Sequence, residues 1–574
     1  MTGPEDAEKG IDSQQRNNAA AMSHGAVQKP LRGWRLMGVL SSLALGLLLA
    51  TIETSITATA LVTIGEYFGN SVTVTWVVLA YLLSYMGFAI IFTRLSDGIG
   101  RQPAVIIAYV FFAAFSLGAG LAQTLGQLIA LRFLQGIGGA GLYSMLMVIT
   151  VEISPVEYWG ALSGMIGLML AIGSVLGPIL GGVITERASW RWIYLFNAPA
   201  AAVGIAVMLF CWPRKEKSYK KPSITWQSIQ QVDWVGAILL LAASILLVFA
   251  LQEGGSIAYS WSSATIISTL TISGVCWIAF FAWVSWLSFR TDIQLRAIFP
   301  FTIALTGPVG PAIILILLNG FPYFVAIINL PLRFQVVNGD SPIMAGVHLL
   351  PLLNSMAFGS FVGGAASSKK NNTFPTLIIA ACLVLLGCGL LSTLGGGREF
   401  YKPTYGYQVI LGLGVGLTFS SVTALTNINS KSKDIAAAQG AVSQARALGG
   451  TIGLSMATIV LNNKLSTGLA GVLDPVLIKS LEQSLNNIST LNPNDQALVA
   501  QAYTDAFNSQ MRICTYLSAV ALLAAIATYQ KNPASVARLK QKQRAMAAED
   551  LSDEGKELGS TVGATPVQAK SYEL

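Results

Sequence analysis

One carboxylate lies inside an otherwise apolar and hydroxyl-bearing stretch, LLLATIETSITATALV over residues 47–62. No charged residue within four positions of Glu53 compensates it. A charge at the depth of a lipid bilayer costs about 2.5–3.5 kcal/mol even on insertion scales. A carboxyl group kept at that cost has two explanations. Either it binds protons or a ligand, or it is a structural acid that hydrogen-bonds Ser and Thr neighbours or pairs with Arg132.

The composition indicates a chain built for a solvent other than water. Its 574 residues are 53% hydrophobic and 11% charged, whereas soluble globular proteins carry about 25% charged residues. The net charge is +8, but Lys and Arg lie between long apolar runs, which excludes a nucleic-acid binder. The five cysteines lie inside apolar runs without metal-type spacing, so we expect no disulfide framework and no metal site. The first 30 residues lack an apolar segment, and we expect the first span to act as the targeting signal.

Fourteen stretches are apolar over the roughly 20 residues that a membrane span needs. They run over about 36–61, 73–93, 104–122, 126–150, 160–184, 192–212, 233–251, 264–287, 311–333, 343–364, 374–394, 405–425, 436–461 and 512–530. The even number places both termini on one side. We therefore predict an all-α polytopic membrane protein.

The distribution of positive charge predicts the orientation. With a cytoplasmic N-terminus, the inner segments hold 25 Lys and Arg and the outer segments hold eight, as the preference of these residues for the cytoplasmic side requires. We expect disordered cytoplasmic tails over 1–34 and 531–574. A long outer loop over 462–511 carries a possible glycosylation site at Asn487.

Two glycine patterns recur at the same offset of 276 residues. RFLQGIGGAG (132–141) aligns with QVILGLGVGL (408–417), and AIGSVLG (171–177) aligns with ALGGTIG (447–453). Such repeats, each folded as a bundle around a central cavity, are typical of secondary transporters. We predict six-helix bundles over 35–212 and 303–530, separated by a linker over 213–302 with two extra spans. The same offset makes Asn329 the repeat mate of Glu53.

Two further stretches combine glycine with groups that can act in gating and packing. In TRLSDGIGRQP (93–103), Gly98 and Gly100 allow a tight turn, while Asp97 and Arg101 can pair with each other or with helix ends. In GLMLAIGSVLGPILGG (167–182), small residues at spacing four let helices approach closely, and the proline bends the helix. The residues concerned are Gly173, Gly177, Pro178, Gly181 and Gly182.

These stretches resemble the motifs of the major facilitator superfamily, in particular its fourteen-span drug:proton antiporter branch and fungal pumps for toxins and other secondary metabolites. The loop matches Gly-x-Leu-Ala-Asp-Arg-x-Gly-Arg-Lys at Leu95, Asp97, Gly100 and Arg101, and departs from it at Thr93, Ser96, Gly98 and Gln102. The fourth span matches Arg-x-x-Gln-Gly-x-Gly at Arg132, Gln135, Gly136 and Gly138. The fifth matches the antiporter motif Gly-x-x-x-Gly-Pro-x-x-Gly-Gly from Gly173 to Gly182. Glu53-Thr54-Ser55 takes the place of the branch's Asp-x-Thr motif, and SWRWIYLFNAP (189–199) looks like the start of its sixth span.

The resemblance implies the major facilitator fold and proton-coupled efflux of a small amphipathic organic compound, such as a fungal toxin, secondary metabolite or drug. Its partners would be that compound, protons and the lipid bilayer, with the proton gradient in place of a cofactor, in a monomer of the plasma membrane. Glu53 and Arg132 would couple protons, with a cationic or hydrogen-bond-donating substrate competing for Glu53. Arg132 has the structural alternative of satisfying backbone carbonyls.

Other residues are expected to gate the carrier or to line its cavity. The gating set is Asp97, Gly100, Arg101 and Arg446, and a pair between Asp97 and Arg446 across the two halves is a hypothesis. The cavity set is Tyr81, Tyr85, Gln135, Tyr143, Tyr323 and Asn329. Aromatic residues at span ends are also common as interface anchors, and the glycines of the fifth span act first through packing.

Two rival functions remain open. One is a proton-coupled importer of iron chelates, or a transporter of basic amino acids in a vacuolar membrane. The other is a transporter-like receptor or scaffold. No Walker-type loop is present, and His24 and His348 form no catalytic pattern, so we expect no enzyme.

Overall fold

The computed structural model describes residues 33–69, 73–154, 159–212, 233–254, 259–289, 299, 307–369, 371–430, 435–469 and 492–533. These residues form sixteen α-helices, with a single isolated β-bridge and no strand among them. The helices are α1 Trp34–Phe68, α2 Trp76–Ile99, α3 Arg101–Gly120, α4 Leu125–Ile153, α5 Trp159–Arg187, α6 Trp192–Leu195, α7 Asn197–Cys211, α8 Trp234–Glu253, α9 Ala264–Phe289, α10 Val309–Arg333, α11 Pro342–His348, α12 Leu350–Lys369, α13 Thr373–Leu391, α14 Thr404–Asn429, α15 Ile435–Leu469 and α16 Pro493–Ala527. The all-α prediction is confirmed for this part of the chain.

Twelve spans within the described residues are long and apolar enough to cross a membrane. Two of them combine short neighbours, α6 with α7 and α11 with α12. The predicted fifth and thirteenth spans correspond to α5 and α15, which have 29 and 35 residues but are not among the twelve. A polytopic membrane protein is therefore confirmed, while the count of fourteen stays a prediction.

The glycine repeat places helices in equivalent contacts in both halves. A Cβ atom added at Gly136 of α4 would overlap the carbonyl oxygen of Tyr81 on α2. The same atom at Gly412 of α14 would overlap the carbonyl oxygen of Leu352 on α12. Because only a residue without a side chain permits such close backbone approach, the repeat specifies the same helix crossing twice.

The contact between the first and fifth spans of each half does not follow the offset of 276 residues. Gly173 of α5 packs against Thr51 of α1, whereas its mate Gly449 of α15 packs against Leu317 of α10. The offset of 276 would have placed this contact at residue 327 instead of 317. Asn329 consequently lies two to three helical turns beyond the level of Glu53. The prediction that Asn329 is the repeat mate of Glu53 is wrong, because the repeat offset is not constant along the chain.

The long loop predicted over 462–511 is helical at both ends. Helix α15 continues to Leu469, and α16 begins at Pro493. The added turns are amphipathic, and their apolar faces form a small core in which Leu465, Val499 and Tyr503 are buried. This packing explains why the helices extend past their most apolar segments. Residues 470–491, including Asn487, lie outside the described part of the chain. So do residues 1–32 and 534–574, which make up most of the tails predicted over 1–34 and 531–574, and residues 213–232 between α7 and α8.

The two halves touch at the end of the bundle that carries Glu186, which is the predicted outer end. A Cβ atom added at Gly182 would lie 2.7 Å from the Cα of Ile343, which belongs to the other half. The Oε1 atom of Glu186 accepts a hydrogen bond of 3.0 Å from the backbone N–H of Ile343. Helices α5 and α11 are therefore in backbone contact at this end.

Candidate functional site

Glu53 is fully buried and is paired across the bundle. Its Oε1 atom accepts a hydrogen bond from Nη1 of Arg132 on α4, which forms an ion pair. Its Oε2 atom accepts a hydrogen bond of 2.6 Å from Nδ2 of Asn197 on α7. The charge that has no counterpart nearby in the sequence is therefore compensated by a cation 79 positions away.

Arg132 is also fully buried and its donors are distributed over several helices. Its Nε atom donates to the carbonyl oxygen of Val77 at 3.1 Å, and Nη1 also donates to Oε1 of Gln135 at 2.9 Å. The guanidinium carbon lies 4.5 Å from the ring centroid of Tyr81 and 5.4 Å from that of Tyr194. Cation–π contacts of this kind stabilise a desolvated guanidinium. Arg132 therefore makes both of the contacts considered for it: a hydrogen bond to a backbone carbonyl and an ion pair with Glu53.

Ser116 of α3 closes the polar network. Its hydroxyl accepts from Nε2 of Gln135 at 3.0 Å and from Nδ2 of Asn197 at 2.9 Å. It donates to the carbonyl oxygen of Tyr194 at 2.8 Å. Five spans of one half, α1 to α4 and the α6–α7 segment, therefore converge on one carboxylate.

This arrangement has two electrostatic states. With Glu53 ionised, the buried pair is neutral overall and its hydrogen bonds are satisfied. With Glu53 protonated, Arg132 loses its counterion, and an unpaired buried charge costs several kcal/mol. Protonation of Glu53 would therefore disfavour the present packing around Arg132.

A cavity lies beside this network, between the two halves. The space in it that the centre of a water molecule can occupy is about 50 Å³. Helix α1 contributes Ala50, Thr51 and Thr54, next to Glu53 in the chain. The other lining residues are Leu47, Leu82, Tyr85, Tyr143, Leu170, Tyr323, Phe324, Met356, Ala357, Ser360, Phe419, Arg446 and Ala447.

The six predicted cavity residues fall into three groups. Tyr85, Tyr143 and Tyr323 line the cavity. Tyr81 and Gln135 instead contact Arg132, on the other side of the cavity wall. Asn329 is half-buried and lies away from the lining, as the shifted offset of α10 explains.

Arg446 faces the cavity from α15. Its guanidinium carbon lies 5.4 Å from the ring centroid of Tyr143 and 5.0 Å from that of Phe419. Tyr143 precedes Glu152 by nine residues on α4, or about 13 Å of helix rise, so Arg446 lies well inside the bundle. The side chain of Asp97 is outside the described residues, and its pairing with Arg446 stays a hypothesis.

The loop between α2 and α3 is held by a contact that the sequence analysis did not include. Gly100 has φ +96° and is the only residue between the end of α2 at Ile99 and the start of α3 at Arg101. Arg101 Nε donates to Oε2 of Glu152 at 2.8 Å, and its Nη2 donates to Oε1 of the same carboxylate at 2.5 Å. Its Nη1 atom donates to the hydroxyl of Ser96. The two hydrogen bonds from Arg101 to Glu152 join this loop to the end of α4, the helix that carries Arg132.

The glycine motif of α5 has two faces with different neighbours. Gly177 and Gly181 contact the backbone of Ile56 on α1, at 3.0 Å and 2.7 Å from an added Cβ atom. Gly182 contacts α11, as described above, and the carbonyl of Pro178 contacts Gly346 of the same helix. The motif therefore packs the helix that holds Glu53 on one side and the opposite half on the other.

Sequence reasoning missed three members of the network around Glu53, namely Ser116, Tyr194 and Asn197. Two of these, Tyr194 and Asn197, lie in the quoted stretch SWRWIYLFNAP. An asparagine at the start of an apolar span is a signal that could have pointed to them, because a polar side chain at that depth requires a partner. Ser116 carries no such signal in a glycine- and alanine-rich helix.

Comparison with known proteins agrees with the motifs. Residues 43–454 match the Major Facilitator Superfamily. The MFS-type transporter FPY5 of Fusarium mangiferae is 35% identical over 87% of this chain and 85% of its own length. Efflux pump dotC of Dothistroma septosporum is 30% identical over 84% and 82%. A bacterial homologue of the human lysosomal transporter Spinster, in an inward-facing and unoccupied conformation, matches with a TM-score of 0.56 at 14% identity over 88% of this chain and all of its own.

Proposed function

Because this chain belongs to the Major Facilitator Superfamily, we propose that it is a proton-coupled exporter of a small amphipathic organic compound, such as a fungal secondary metabolite, toxin or drug. Relatives that align over more than four fifths of this chain include an efflux pump. The observation that carries the proposal is the buried pair of Glu53 and Arg132 directly behind the wall of a cavity between the halves. Protonation of Glu53 and binding of a substrate can then each change the packing of the same helices.

The cycle follows from the two states of this pair. The compound enters the cavity from the cytoplasm while Glu53 is ionised and paired with Arg132. The halves rock, the contact between Gly182 and Ile343 opens, and the compound leaves outward. A proton from outside then binds Glu53, and its release to the cytoplasm restores the pair. The backbone contact of α5 with α11 supports the assignment of the present conformation to the stage that is closed on the outer side.

The proposal includes a location and an orientation. The carrier is a monomer of the plasma membrane with both termini cytoplasmic, and Asn487 is its candidate glycosylation site. The excess of Lys and Arg in alternate segments supports this orientation. In this orientation, Arg101 and Glu152 lie at the cytoplasmic end of the bundle and Glu186 lies at the outer end.

Everted membrane vesicles test the function directly, because export appears as accumulation in the lumen. Three fluorophores serve as probes: fluorescein (anionic), Nile red (neutral) and rhodamine 123 (cationic). We expect an acidic lumen to drive accumulation of at least one of them above vesicles without the protein, and an uncoupler to abolish it. Accumulation of none of them, or accumulation that is unchanged when the gradient is removed, contradicts proton-coupled export.

A further inference from the structure

Arg446 is the one charged side chain among the residues that line the cavity in the described part of the chain. The remaining lining residues are apolar or carry hydroxyl groups, and no Asp or Glu is among them. Glu53 cannot offset this charge for a ligand, since it is fully buried behind the wall and already bonded to Arg132. The cavity therefore presents a positive charge to whatever enters it.

The two arginines at membrane depth differ in how their charge is compensated. Arg132 has a carboxylate partner in Glu53. Arg446 has no carboxylate within 4.0 Å among the described residues, and its guanidinium lies against the rings of Tyr143 and Phe419 instead. Aromatic faces compensate a desolvated cation only in part. A guanidinium that has no carboxylate counterion among the described residues, in low-dielectric surroundings, favours an anionic ligand.

The surroundings of Arg446 fit an acid with a planar, apolar body. Tyr85, Tyr143 and Tyr323 bring hydroxyl groups to the lining, and these can donate hydrogen bonds to an anion. Phe324 and Met356 supply apolar area beside them. The Tyr323 ring meets that of Phe419 edge to face, with centroids 5.3 Å apart and an interplanar angle of 81°. Such a wall suits the face of an aromatic or conjugated ligand.

We propose that the compound carried is an organic acid in its ionised form, with its anionic group bound by Arg446 and its conjugated body against the aromatic wall. This inference rests on the proposed exporter function and specifies its substrate class. It replaces the expectation of a cationic substrate that competes for Glu53, because Glu53 does not face the cavity. The two parallel N–H groups of a guanidinium match the two oxygens of a carboxylate.

The charge of the substrate changes how transport responds to membrane potential. Export of a monoanion in exchange for one proton moves two charge equivalents across the membrane, whereas export of a neutral compound moves one. Each charge equivalent changes the attainable accumulation about 50-fold per 100 mV. Collapse of the potential at constant pH gradient should therefore reduce accumulation of an acid more steeply than that of its neutral amide.

Three probes with one aromatic body test the assignment: 2-naphthoate, 2-naphthamide and 2-naphthylmethylammonium. Their dissociation constants are measured on the purified full-length protein in lipid nanodiscs. We expect naphthoate to bind about tenfold more tightly than the amide, as a charge-assisted hydrogen bond exceeds a neutral one. Arg446→Gln should bring this ratio close to one, and Arg446→Lys should keep part of it. Arg512→Gln, at an exposed arginine of α16, is the matched control and should leave the ratio unchanged.

Two results overturn the substrate class: the amide or the amine binding as tightly as naphthoate, or Arg446→Gln keeping the preference for the acid. Everted vesicles with the same probes separate this failure from failure of the exporter function. Gradient-driven accumulation of the amide but not of naphthoate contradicts the substrate class and leaves the exporter standing. Arg446-dependent binding of naphthoate without gradient-driven accumulation of any probe contradicts the exporter and leaves the anion site standing.

Discussion

Replacement of Glu53 by glutamine removes one charge from the buried pair and keeps the shape of the side chain. The carboxylate accepts two hydrogen bonds, one from Arg132 and one, of 2.6 Å, from Asn197. A glutamine amide has one oxygen and one NH₂ group. Whichever way the amide is turned, its NH₂ group faces one of these two donors, so one contact is lost and Arg132 keeps no counterion.

The expected cost follows from this geometry. Removal of one partner from a buried ion pair destabilises a protein by about 3–5 kcal/mol. We expect Glu53→Gln to fall near the lower value, because the amide oxygen still accepts one hydrogen bond. Arg132→Gln should cost a similar amount. The double variant should cost less than the sum of the two by at least about 1.5 kcal/mol, since neither charge is then left unpaired.

Transport separates this structural cost from a role in coupling. A lumen one pH unit more acidic supplies about 1.36 kcal/mol per proton, which is about tenfold accumulation for exchange of one proton. Glu53→Gln should bring the accumulation ratio down to one. Exchange of labelled for unlabelled substrate at equal pH needs no net proton movement and should continue. Both are measured in proteoliposomes with equal amounts of folded protein.

Glu253→Gln is the matched control for this substitution. The Oε1 atom of Glu253 accepts a hydrogen bond of 2.8 Å from the indole N–H of Trp76, which a glutamine oxygen can replace. We expect this variant to keep both stability and tenfold accumulation. A Glu53→Gln protein that folds, inserts and still accumulates substrate tenfold would refute the assignment of Glu53 as the proton carrier.

Three further variants test the packing and the loop. Gly177→Ala places a methyl group against Ser55. It should lower the free energy of unfolding by about 1–3 kcal/mol. Gly274→Ala is the control and should not lower it, because nothing lies within 4 Å of the added atom. Gly182→Ala meets backbone of the other half and should favour the state open at that end, which spin labels at positions 186 and 343 would report as a longer distance. Arg101→Lys loses the two-pronged bond to Glu152 and should slow transport with less effect on substrate affinity; an unchanged rate contradicts a gating role for this loop.

The features that sequence predicted are those encoded by short spacings. Gly136 and Gly412 mark the same crossing in two halves because close backbone approach leaves room for no other residue. The spans follow from hydrophobicity, and Arg132 with Gln135 follows from a motif of neighbouring positions. Such information is local, and the helix geometry makes its structural consequence unambiguous.

Partners that come from different helices could not be predicted in the same way. The sequence offered Arg132, 79 residues distant, only as one alternative partner of Glu53, and Arg101 was not assigned to Glu152, 51 residues away. Asn329 was misplaced since the repeat offset changes in α10. Each error concerns which helix faces which, a property of the packed bundle that hydrophobicity alone does not encode.

The ion pair at the position of Arg132 in the first half has no counterpart at the repeat position in the second half. Gln408 stands at the repeat position of Arg132 and is buried, with both polar atoms of its side chain unpartnered in the described residues. The second half therefore lacks an equivalent ion pair at this position. Arg446 of the second half instead lines the cavity. In the proposed cycle, the proton would therefore bind in the first half, and the anionic substrate would contact Arg446 of the second half.

A continuous series of aromatic rings joins these two arginines. Arg132 lies over Tyr81 at 4.5 Å, Tyr81 stacks on Tyr85 with centroids 6.1 Å apart, Tyr85 lies 5.9 Å from Tyr143, and Arg446 lies over Tyr143 at 5.4 Å. The rings of α2 and α4 cannot shift at one end without moving at the other, because packed side chains have few alternative arrangements. In the proposed cycle, loss of the Arg132 counterion on protonation of Glu53 would act on Arg446 through the rings of Tyr81, Tyr85 and Tyr143.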